Sequence, residues 1–98
     1  MSYEVRVPRP ISRAIGACGL PRQLLVRLLN RLYDQLPNRA DDYRHNRAPG
    51  LPECFVMRVV LVDTMVPAWH LCRFMVNDQR EPGTLYIEGF THERRLTG

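Results

Sequence analysis

The sequence predicts an α+β fold of order β-α-α-β-β-β, with a helical hairpin packed on one face of a small, mostly antiparallel sheet. Three observations predict it. A short alternating apolar–charged segment opens the chain, two stretches of helical period follow, and the second half carries three β-rich runs separated by turn signals.

Each element has its own signature. Tyr3, Val5 and Val7 alternate with Glu4 and Arg6, which reads as a strand with one buried face. Pro8 and Pro10 end it. Ile11, Ala14, Ile15 and Cys18 recur at three and four, so a helix is expected over residues 10–17, stopped by Gly19. Pro21 opens a second helix. Leu24, Leu25, Leu28, Leu29, Leu32 and Leu36 share one arc of it, with Gln23, Arg27, Asn30, Arg31 and Asp34 opposite. The stripe is too short for a coiled coil and reads as core. Pro37 is expected to end this helix, and residues 38–52 to form a long charged loop. Strands are expected over residues 54–62, 69–76 and 84–92, with turns at 63–67 and 77–83, the latter holding Pro82-Gly83. Short connections make these three an antiparallel meander. Residues 93–98 are expected to fray.

The chain has 98 residues, the size of one domain spanning 1–98. No apolar run approaches the ~18 residues that span a bilayer, so no membrane partner is expected. No apolar segment follows a basic one after Met1, which makes the cytoplasm the expected location. All fourteen basic residues are arginine, and the net charge is +4. Arginine keeps its proton near neutral pH, so a lysine-type general base is excluded, whereas bidentate phosphate contacts are not. Residues 1–50 hold nine arginines against four acids, and residues 51–98 five against six. The basic half suits an anionic partner, and Arg22, Arg27, Arg31 and Arg39 motivate one reading as a plain nucleic-acid-binding domain. The three cysteines are far apart and the three histidines lack ligand spacing, so no metal and no cofactor is expected.

Strand alternation assigns faces. Val56, Arg58, Val60 and Val62 share one side of their strand, and Trp69, Leu71, Arg73 and Met75 one side of the next. In the last strand Tyr86, Glu88, Phe90 and His92 form one set. The expected cluster on the face away from the helices is therefore Arg58, Arg73, Tyr86, Glu88 and His92. Two guanidiniums could hold a phosphodiester and stabilise its transition state. His92 or Glu88 could take a proton from a ribose 2′-hydroxyl, and Tyr86 could stack on a base. Cross-strand ion pairing of Arg58, Arg73 and Glu88 accounts for the same residues without any chemistry.

The element order, the loop Ala-Pro-Gly-Leu-Pro-Glu-Cys, the strands Phe-Val-Met-Arg-Val-Val-Leu-Val and Trp-His-Leu-Cys-Arg-Phe-Met-Val-Asn-Asp, and the closing Leu-Tyr-Ile-Glu-Gly-Phe-Thr-His-Glu-Arg-Arg resemble the RelE/ParE superfamily of bacterial toxins, most of all its HigB-like branch. The resemblance implies a RelE-like fold and the toxin of a type II toxin–antitoxin module. It implies a metal-independent endoribonuclease acting on mRNA at the ribosome, held by a cognate antitoxin. Arg58 and Arg73 fall where relatives carry strand arginines. Arg94 and Arg95 fall where the branch carries two lysines, with His92 just ahead. The resemblance thus places Arg58, Arg73 and His92 in catalysis and Tyr86, Arg94 and Arg95 in substrate binding. The missing lysines and the acidic balance of the strand half motivate a second reading, a non-enzymatic toxin-like protein that inhibits DNA gyrase or serves as a degenerate interaction module.

Overall fold

The computed structural model describes residues 3–96. Its elements are β1 (Glu4–Arg6), α1 (Arg9–Ala17), α2 (Arg22–Asn30), a π-helical turn (Arg31–Gln35), α3 (Leu36–Tyr43), β2 (Arg47–Ala48), β3 (Leu51–Asp63), β4 (Ala68–Asn77) and β5 (Thr84–Leu96). The strands form one mixed sheet in the order β1-β5-β4-β3-β2. β3, β4 and β5 make the antiparallel meander expected from their short connections. β1 lies parallel to the start of β5, pairing Glu4 with Thr84 and Arg6 with Tyr86. The class is α+β, with the helices on one face.

The helical stripe dictates its own geometry. Leu24, Leu28, Leu32, Leu36 and Ala40 are all buried, at intervals of four. On an α-helix of 3.6 residues per turn, a four-residue step drifts by about 40°. Four such steps would turn Ala40 away from the sheet. The π-helical turn at Arg31–Gln35 takes up an extra residue and brings Leu36 and Ala40 back to the core. Pro37 therefore does not end the helix, contrary to expectation. It sits in the first turn of α3, where a missing N–H costs nothing. The chain stays helical to Tyr43, with a kink at Arg39 (φ −126°, ψ 19°). The expected loop over 38–52 is thus mostly α3, β2 and the start of β3. A tight turn with Gly50 at φ +76° joins the two strands. Arg47 on β2 reaches Asp78 with two hydrogen bonds of 2.8 and 3.1 Å, which ties this edge to the β4–β5 turn.

Phe55, Met57, Val59 and Leu61 on β3, Cys72, Phe74 and Val76 on β4, and Leu85 and Ile87 on β5 form the core with the leucines of the hairpin. Phe90 packs on Phe74, with ring centroids 5.2 Å apart. The expected fraying of residues 93–98 does not hold for 93–96. These residues pair with β4, Glu93 with Leu71 and Arg95 with Trp69. Residues 97 and 98 lie outside the described residues.

Candidate functional site

The face of the sheet turned away from the helices carries four rows across β3, β4 and β5. They are Val56–Met75–Gly89, Arg58–Arg73–Thr91, Val60–Leu71–Glu93 and Val62–Trp69–Arg95. Val60 and Val62 are 59% and 55% exposed, so this face is open. Arg58 and Arg73 share it, as strand alternation requires.

Arg58 stands directly opposite Arg73. Like charges in that position repel. Among the described residues, Arg58 makes no ion pair. Glu93 is the nearest acid to the pair, with Oε2 at 3.9 Å from Arg73 Nη1. Its Oε1 accepts hydrogen bonds from Arg95 Nη2 at 2.7 Å and Nε at 3.1 Å. The Arg95 guanidinium lies 5.6 Å above the Trp69 ring centroid, within cation–π range. A carboxylate thus sits between two guanidiniums, with a third one row away and an aromatic face at its edge. Beside it, the missing side chain of Gly89 opens a groove of about 160 Å³ lined by Val56, Arg73, Met75 and Thr91.

Tyr86 and Glu88 are on the same side of the sheet but stand apart from this cluster. Tyr86 pairs with Asn77, four residues from Arg73, or roughly 13 Å along the strand. Its hydroxyl donates to Glu81 at 2.7 Å, and that bond holds the phenol above its ordinary pKa. Arg80 lies 4.5 Å over its ring. Glu88 accepts from Asn77 Nδ2 at 3.0 Å and from Cys54 Sγ at 3.6 Å. It pairs with neither Arg58 nor Arg73, so the expected ion pairing of these arginines with Glu88 fails. Burial, then the charge of Glu88, pushes the Cys54 thiol up to about 11, which keeps it protonated at neutral pH.

His92 and Arg94 are on the opposite, helix-covered side, which corrects their expected place beside Arg58. The cause is a β-bulge. Val76 pairs with Ile87 and Met75 with Gly89, so Glu88 has no partner on β4. One extra residue reverses every side chain that follows. Phe90, His92 and Arg94 therefore join the side of Phe74, Cys72 and His70, while Thr91, Glu93 and Arg95 reach the open face. Glu93 and Thr91 are the members that strand alternation missed, whereas alternation places Trp69 on the face of Arg73 but not in the expected cluster. The signal for them was Gly89 inside a strand, a frequent mark of a bulge.

His92 Nε2 lies 2.9 Å from His70 Nδ1, with the rings stacked at 5.1 Å. Burial, then the neighbouring His92 and Arg94, lowers the His70 pKa, whereas Asp63 opposes this. His70 is thus held neutral in the fold. Its contribution to stability is present above the ordinary value of 6.5 and lost as pH falls through the lower folded value. Urea denaturation between neutral and mildly acidic pH should show that loss. A His70→Gln variant should show a flatter profile, and an equally steep one would remove His70 as its cause.

No three His, Cys, Asp or Glu side chains among the described residues are grouped to hold a metal ion. No helix among them is long and apolar enough to cross a membrane. Fold and site together define an α+β protein whose uncovered sheet face displays guanidinium groups around one carboxylate. Comparison with known families, with curated proteins and with solved structures finds no match to the chain.

Proposed function

We propose that this chain is the toxin of a type II toxin–antitoxin module, an endoribonuclease that cuts mRNA on the ribosome without a metal. The observation that carries the reading is the arrangement of Arg58, Arg73 and Arg95 around Glu93 on an open sheet face. A helical hairpin on one side and a working face on the other supports a RelE-like fold. Arg58, which has no ion pair among the described residues, stands beside Arg73 and suits a surface whose counter-charge arrives with the substrate.

Arg58 and Arg73 hold the scissile phosphate and stabilise the extra negative charge of the transition state. Glu93 takes the role expected of His92 and removes the 2′-hydroxyl proton. The 2′-oxygen forms a bond to phosphorus and the bond to the 5′-oxygen breaks. The products are a 2′,3′-cyclic phosphate and a 5′-hydroxyl end, whose proton comes from water. Trp69 offers a stacking surface for a base. The antitoxin covers exposed apolar side chains such as Val60, Val62 and Leu96.

Expression without a partner in a bacterial host should stop growth and leave cleaved mRNA. Glu93→Gln should slow cleavage by about 10²–10⁴-fold. Normal growth with intact mRNA, at confirmed expression of the folded protein, would overturn the proposal. One observation favours the non-enzymatic reading: no histidine among the described residues lies beside Arg58 and Arg73 to protonate the leaving oxygen. Toxicity that survives Glu93→Gln but not the double variant Arg58→Ala/Arg73→Ala would select it. DNA-damage signalling without mRNA cleavage would point to gyrase.

A further inference from the structure

The helix-covered side of the sheet holds a second polar cluster that the proposed cleavage does not use. A cavity of about 180 Å³ is lined by Gly19, Pro21, Asp63, His70 and Arg94. Two independent features meet there. The first is Arg94, a guanidinium with no ion pair among the described residues. The second is His70, which is 2% exposed. Its Nδ1 is taken up by His92, and its Nε2 is buried without a hydrogen-bond partner among the described residues. A buried polar atom in that state needs a partner that those residues do not provide.

Asp63 is the one acid in the lining. Its Oδ1 already accepts from the Met65 and Val66 amides at 2.9 and 3.4 Å. Its charge is therefore partly spent on the β3–β4 turn. The histidine pair has a tautomer that suits an anion. When His92 Nε2–H donates to His70 Nδ1, the His70 proton resides on Nε2, the nitrogen left over. Arg94 adds paired donors at the mouth.

We propose that this cavity binds a phosphate-type oxyanion, held by His70 Nε2–H and Arg94. Its volume of about 180 Å³ admits one tetrahedral anion. The ligand is inorganic phosphate or the terminal phosphate of an RNA end. The inference does not rest on the proposed ribonuclease activity, because the cavity lies on the other side of the sheet.

The test is a titration of the full chain, followed by nitrogen and proton NMR of the imidazoles. Inorganic phosphate is one ligand. A 5′-phosphorylated oligoribonucleotide, compared with its dephosphorylated twin, is the other. Saturable shifts at His70, with its proton fixed on Nε2, are expected with at least one of them. Arg94→Gln should weaken that binding about tenfold or more while keeping a folded spectrum. Arg13→Gln, on the exposed side of α1, should leave it unchanged. Arg94-dependent preference for the phosphorylated oligonucleotide identifies an RNA end as the source. Response to inorganic phosphate without that preference identifies the free ion. Lack of a saturable His70 response to both ligands, or equal affinity in Arg94→Gln, would overturn the proposal.

Discussion

Arg58→Thr should make the protein more stable and worse at binding RNA. Arg58 and Arg73 face each other across β3 and β4, and among the described residues only Arg73 has an acid within 4 Å. Removing one of two opposed like charges should add about 0.2–1 kcal/mol, and threonine suits a strand. The same change deletes a charged phosphate contact worth about 1.5–3 kcal/mol, or roughly 10–100-fold in affinity. The salt dependence of binding should weaken by about one phosphate's share. Arg73→Thr should gain less stability, because it also gives up the loose contact with Glu93, worth about 0–1 kcal/mol at the surface. Urea denaturation and RNA titration on one preparation measure both sides. A loss of stability in Arg58→Thr would mean that Arg58 serves the sheet. Unchanged affinity would remove it from the site.

The faces of β3 and β4 were legible because neither strand is interrupted between Phe55 and Met75. Alternation alone puts Arg58 and Arg73 on one side, and the pairing agrees. The leucine stripe was legible for a similar reason, since leucines recurring every three or four positions line one side of a helix but scatter over both faces of a strand. What failed was local in sequence but decided by tertiary structure. Pro37 carries the same stop signal whether it ends a helix or sits in the first turn of the next. Only the burial of Leu36 and Ala40 against the sheet decides between them. The parallel place of β1 beside β5 depends on contacts some eighty residues apart in sequence, which alternation cannot report. Residues 93–96 are too polar to look like a strand, yet β4 offers them a backbone partner at every step. The bulge at Glu88 had the largest consequence, because one unpaired residue exchanged His92 for Glu93 in the candidate site.

Deleting Glu88 and deleting Thr91 should therefore have opposite outcomes, although the two lie only three positions apart. Without Glu88, Ile87 can still pair with Val76 and Gly89 with Met75, so residues 90–96 keep their faces. The loss is the hydrogen bond from Asn77 and the weaker one from Cys54. That should cost about 1–2 kcal/mol and leave a folded protein. Without Thr91, His92 would move opposite Arg73 and Glu93 opposite Cys72, which is fully buried. The open face would then present the histidine beside the arginines. The cost would be a carboxylate in the half-buried place of His92 on the helix-covered side, together with the loss of the His70–His92 contact. The expected loss of about 3 kcal/mol or more is a large share of the stability of a small domain. Thermal denaturation and amide exchange along β4 separate the cases. Equal damage from the two deletions would show that the bulge does not set the faces of β5. Glu93 would then lose its claim to the site, and the choice between carboxylate and imidazole as the base would reopen.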